Sequence, residues 1–196
     1  MTVRPHRLDP GVRPTDVGVH VEVDPRRGDD FRGEVEIALT LDEPRRMIEL
    51  HAADLRVSHA RLEVDGVGLR GRVTRHEAFE TLRVHFAETV PAGRAILTLR
   101  FAGKLRSDLR GLYAARSGKR KYAFTQLEAT DARRFFPCFD EPVMKARFRM
   151  AVTTSQKNTV IGNAPIARTR KLPRGRKRVE FRTTPPLSTY LVALAV

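Results

Sequence analysis

The chain has a period of two. Val17, Val19, Val21 and Val23 alternate with Gly18, His20, Glu22 and Asp24. Phe31, Gly33, Val35, Ile37, Leu39 and Leu41 alternate with Arg32, Glu34, Glu36 and Thr40. Successive strand side chains leave on opposite faces, so each run makes one apolar face and one wet face. The second run predicts Phe31, Val35, Ile37 and Leu39 buried, with Arg32, Glu34 and Glu36 exposed. The alternation recurs at Leu82, Val84 and Phe86, at Leu97, Leu99 and Phe101, at Ala146, Phe148, Met150 and Val152, and at Val179 and Phe181. Turn signals divide the runs: Asp24-Pro25-Arg26-Arg27-Gly28, the tight-hairpin pair Asp65-Gly66, and Pro91-Ala92-Gly93. No segment carries a helical stripe over three turns. The pattern predicts an all-β fold of antiparallel sheets in a twisted sandwich or saddle-like assembly, as a single domain over residues 1–196.

Composition narrows the function classes. Hydrophobic residues at 41% and charged residues at 31% describe a globular chain. The N-terminal stretch has no apolar run, so no signal peptide is expected, and 191–196 is far too short to span a bilayer. Cys138 is the only cysteine, which excludes an intrachain disulfide and suits a reducing compartment. Together these predict a soluble, cytoplasmic protein without a membrane partner. The net charge of +14, with arginine supplying 30 of 37 basic residues, invites polyanions. Aromatics at 7% and the lack of Trp are poor material for base stacking, so nucleic acid is disfavoured as a partner. The densest basic run, residues 168–178, has Pro173 and Gly175 in its middle and is expected to be a mobile exposed hairpin tip.

Residues 125–142, TQLEATDARRFFPCFDEP, break the alternation. Three Phe beside six charged residues do not make a simple linker. The rings call for burial, and charges drawn in with them need partners. On residue chemistry alone this is a buried loop plugging one end of the sheets. Residues 122–134 (YAFTQLEATDARR), then Phe136-Pro137-Cys138-Phe139-Asp140-Glu141-Pro142 and Lys145-Ala146, resemble the signature of the N-terminal domain of the aminopeptidase N family of zinc metallopeptidases. Further pieces agree in family order: Phe31-Arg32-Gly33, residues 48–55, Gly111-Leu112-Tyr113, Asn163-Ala164-Pro165 and residues 184–193. An ordered set over nearly the whole chain is more specific than any short motif.

The resemblance implies roles. The Glu of the T-Q-x-E segment, here Glu128, binds the free α-ammonium of a peptide substrate. The Gln, here Gln126, lines the pocket for the first side chain. A carboxylate in a partly dry cleft pairs strongly with an ammonium and fixes the substrate by one end. The other reading of Glu128 is a salt bridge to Arg133 or Arg134. Asp131, Arg133, Arg134, Asp140 and Glu141 read as structural, bracing the loop and its contact with a neighbouring domain. Cys138 reads as a buried filler, since no His pattern accompanies it.

Hydrolysis in that family needs H-E-x-x-H on a helix to hold zinc. The nearest imitation, His76-Glu77-Ala78-Phe79-Glu80, has Glu where the second His belongs and sits in a strand-edge or turn context. No catalytic residue, metal ligand or cofactor is therefore expected in this chain; zinc would belong to a catalytic domain outside it. The expected partners are such a catalytic domain, in cis or in trans, and the N-terminus of a peptide substrate. The rival readings are a free-standing β docking module without peptidase activity and a basic polyanion-binding domain.

Overall fold

The computed structural model describes residues 6–196. In chain order the strands are β1 (Val12–Val23), β2 (Asp30–Leu41), β3 (Arg45–His51), β4 (Arg56–Val64), β5 (Val67–Arg70), β6 (Arg72–His76), β7 (Thr81–Val90), β8 (Gly93–Lys104), β9 (Gly111–Ser117), β10 (Arg120–Gln126), β11 (Arg147–Ser155), β12 (Ile161–Gly162), β13 (Ile166–Leu172), β14 (Arg176–Phe181) and β15 (Leu194–Ala195). Three single-turn 3-10 segments interrupt them, and no α-helix occurs among the described residues.

The strands form three sheets. The largest has eight strands in the order β13-β14-β11-β1-β2-β8-β4-β5; a second runs β12-β15-β10-β9 and a third β3-β7-β6. The all-β expectation is met, with one amendment. β1 pairs with β11 in parallel, Val17 opposite Phe148 and Val21 opposite Val152, so the large sheet is mixed. That pairing joins segments more than a hundred residues apart, and strand periodicity carries no information about the direction of such a neighbour.

The alternation maps onto the sheet faces. Val35 and Ile37 are fully buried, and Phe31 and Leu39 nearly so. Opposite them, Arg32 and Glu36 are exposed. Glu34 is half-buried, because Arg100 on the neighbouring strand reaches over it at 2.8 Å. Asp65-Gly66 makes the anticipated two-residue hairpin, with Val64 opposite Val67. Both turn residues have positive φ, 49° and 78°, as the hairpin turn whose twist matches its strands requires.

The basic run differs from its expected form. Residues 168–172 are strand β13, registered on β14 from Arg168 opposite Glu180 to Leu172 opposite Arg176, and only Pro173, Arg174 and Gly175 form the turn. Charge repulsion does not prevent the pairing because β13 is an edge strand whose side chains reach solvent on both faces.

Candidate functional site

β10 carries the chain out of the small sheet at Gln126. Leu127 is then buried at 2% exposure, Glu128, Ala129 and Thr130 are exposed, and the chain turns back with the Asp131 amide donating to the Leu127 carbonyl at 2.9 Å. The Glu128–Ala129 peptide is cis. A tight 3-10 turn, Ala132–Arg134, follows. Beyond it Phe135, Phe136 and Phe139 enter the core. Phe135 stands edge-on to Phe31 of β2 at 6.3 Å and to Phe136 at 5.2 Å, and Phe136 meets Phe148 of β11 at 6.3 Å. The loop thus grips the large sheet through a ladder of rings, each contact adding modestly to the burial term.

The charges that travel with those rings are paired. Asp131 receives Arg110 in a fork, Nε to Oδ2 at 3.0 Å and Nη2 to Oδ1 at 2.9 Å, and Arg134 Nε donates to the same Oδ1 at 2.9 Å. Arg134 continues to Glu80 and Asp54. Arg133 donates through Nε to Asp140 at 3.0 Å and through Nη1 to Glu80 at 3.2 Å. Asp140 also accepts from Thr189 Oγ1 at 2.6 Å, and its own amide donates to His51 Nδ1 at 3.2 Å. Glu141 accepts from the Leu8 amide at 2.7 Å. Asp131, Arg133, Asp140 and Glu141 are all buried, and only such mutual satisfaction makes that tolerable. His51 and Cys138 exchange backbone hydrogen bonds, so β3 and the loop form one unit. Burial, reinforced by the Arg133 guanidinium, pushes the His51 imidazole down to about 3, so it stays neutral. Burial pushes the Cys138 thiol well above its ordinary range, which suits an inert filler rather than a nucleophile.

Among the sequence candidates, Asp131, Arg133, Arg134 and Asp140 converge in this network and Glu141 is held beside it by the Leu8 amide and Arg7, whereas Glu128 and Gln126 stay outside it, exposed at its rim. Arg133 and Arg134 have other acceptors, and Glu128 makes no ion pair or hydrogen bond with any described residue. The sequence reading did not find Arg110, Glu80, Asp54, His51 or Thr189 as partners. His51, Asp54 and Thr189 lie in the family-like segments 48–55 and 184–193, and Gly111 beside Arg110, with φ +64°, marks the crossing of two chain segments. A Cβ there would stand 2.7 Å from Arg134 Cβ. Gly111→Ala is accordingly expected to destabilise the fold by about 1–3 kcal/mol, from the left-handed backbone and overpacking together. Denaturant unfolding measures it, and a change of a few tenths would mean the crossing is loose.

His76 ends β6, and residues 77–79 make a single 3-10 turn, so the H-E imitation lies on no α-helix. Among the described residues no group of three or more His, Cys, Asp or Glu is placed to hold a metal ion. No helix among them is long and apolar enough to cross a membrane.

The model of the Peptidase M1 N-terminal domain family matches residues 13–191. The chain is 38% identical over 170 residues to aminopeptidase M1-D of Oryza sativa subsp. japonica, covering 85% of this chain and 19% of that protein. It is 36% identical over 194 residues to probable M1 family aminopeptidase 1 of Encephalitozoon cuniculi, covering 97% and 22%. It is 32% identical over 195 residues to aminopeptidase N of Acetobacter pasteurianus, covering 96% and 53%. The chain therefore spans from about a fifth to about half of the length of these relatives.

Proposed function

The chain belongs to the Peptidase M1 N-terminal domain family, and on that premise we propose that it is the substrate-anchoring, non-catalytic β domain of a zinc aminopeptidase that releases N-terminal residues from peptides. In this reading Glu128 pairs with the α-ammonium of the peptide, Gln126 borders the pocket for the first side chain, and the buried ion network holds the loop against the sheets. The observation that carries the reading is the contrast within one loop. Every other carboxylate of residues 125–142 is buried and satisfied by named partners, while Glu128 is exposed and free, two residues past Gln126 at the open end of β10. A carboxylate without an internal role on a fixed backbone is ready for an external cation.

The His76-Glu77 pair runs into a single 3-10 turn and not an α-helix, so this reading assigns the hydrolytic chemistry to a catalytic domain docked against the loop. Exposed apolar side chains beside the network support that docking: Val143, Leu109 next to Arg110, and Leu191 close to Thr189. The lone buried thiol supports a cytoplasmic setting.

The test is Glu128→Gln in the chain joined to its catalytic domain. The variant should fold and retain zinc, yet lose about tenfold or more in kcat/KM on free-amine peptides, because a charge-assisted hydrogen bond is worth about 1.5–3 kcal/mol. Unchanged efficiency would remove Glu128 from substrate binding.

A further inference from the structure

The outer face of the eight-stranded sheet carries charge that neither the core nor the substrate loop uses. The strand registers place its side chains in rows. One row crosses seven strands, from Arg170 on β13 through Arg178 on β14, Thr153 on β11, Glu22 on β1, Arg32 on β2 and Ala102 on β8 to Arg56 on β4. At about 4.8 Å per strand it spans roughly 30 Å. Its carboxylates are outnumbered, because each is shared. Glu22 lies 2.7 Å from Arg32 and 3.6 Å from Arg176, and Glu180 lies 3.0 Å from Arg178 and 3.8 Å from Arg170. Each arginine–carboxylate–arginine triad retains a positive charge and holds two guanidiniums in place with N–H groups left over. Arg56 at one end of the row and Arg168 on the edge strand have no ion-pair or hydrogen-bond partner among the described residues, and both are exposed. The basic hairpin belongs to this array, its charges fixed by regular β pairing.

We infer that this face binds the phosphate backbone of double-helical nucleic acid without reading its sequence. The partner follows from what the row contains and lacks. It has no Phe or Tyr to stack unpaired bases, which argues against single strands. It has no large aliphatic or aromatic side chain to insert into a lipid surface, and no aromatic anchor to seat in the pocket of a protein partner. A duplex needs neither. It presents a dense, evenly charged surface, and its backbone is bound by arginine and by counterion release alone. The low aromatic content that disfavours base stacking does not bear on this mode.

The experiment is a salt titration of a labelled random-sequence DNA duplex on the full chain by fluorescence anisotropy. Two paired variants accompany it. Arg170→Gln with Arg178→Gln removes two of the row's four arginines. Arg116→Gln with Arg120→Gln removes equal charge from the β9–β10 hairpin, which lies in another sheet. Thermal midpoints of both should match the parent. If about four phosphates are contacted, affinity should fall about a hundredfold between about 50 and 200 mM salt. The row variant should flatten the logarithmic salt slope by about two, and the hairpin control should leave it in place. Absence of binding at the lower salt would overturn the inference. So would equal losses in the two variants, which would reduce the effect to net charge, or tighter binding to anionic vesicles or to an acidic peptide than to the duplex.

Discussion

Ile37→Ala is expected to destabilise the protein by about 2–5 kcal/mol, the range for deleting a buried aliphatic side chain whose surroundings collapse only in part. Ile37 sits mid-strand in β2, opposite Val17 of β1 and Leu97 of β8, and is fully buried. Strands on both sides hold its backbone, so the sheet cannot close over the void by shifting one edge. The neighbouring Glu36→Ala is the control. Glu36 is exposed, and its contact to Arg149 at 3.7 Å is a surface pair of little worth. Its loss should move stability by no more than about half a kcal/mol. Urea unfolding of both variants reads the register directly. Comparable small effects would mean that the faces of β2 are assigned wrongly.

The second large effect is a pH dependence centred on His51. In the fold its Nδ1 accepts the Asp140 amide, which only the neutral ring can do, and burial beside Arg133 holds it down to about 3. In the unfolded chain it titrates near the ordinary value of 6.5. Between the two the unfolded state binds the extra proton. The stabilisation is therefore complete above about pH 6.5 and is lost as pH falls toward about 3. By about pH 4 the loss from this group is on the order of 3 kcal/mol. His51→Gln should remove that component, so the difference between parent and variant stability should shrink steadily on acidification. Parallel curves from about pH 7 to pH 4 would show that His51 does not couple folding to protons.

Much of the fold was legible because strand burial is a local, two-residue signal. The runs from Val17 and from Phe31 named their inner faces, and Asp65-Gly66 named its turn. The parallel seam between β1 and β11 was not legible, since direction and register across so long a separation are decided by packing and not by period. The basic run is the exposed hairpin expected, with its turn at Pro173 to Gly175, but its regular pairing was not legible for a related reason. Repulsion among Arg170, Lys171, Arg176 and Arg178 does not prevent regular pairing, because at a sheet edge solvent screens the side chains and the backbone pairs normally. In the loop, one half of each ion pair was visible. Asp131, Arg133 and Asp140 announced themselves by charge among aromatics. Their partners Arg110, Glu80, His51 and Thr189 lie on other elements and are found only when the chain closes on itself.

The central claim, that Glu128 meets the substrate's amine, is tested most directly by a thermodynamic cycle on the chain joined to its catalytic domain. The parent and Glu128→Gln are each assayed for kcat/KM on a peptide and on the same peptide lacking its terminal amino group. Removing the carboxylate or the amine alone should cost about tenfold or more, and removing both should cost little beyond either one, giving a coupling energy of about 1.5–3 kcal/mol. Independent, multiplying losses with no coupling would contradict the claim, whatever the size of each single effect.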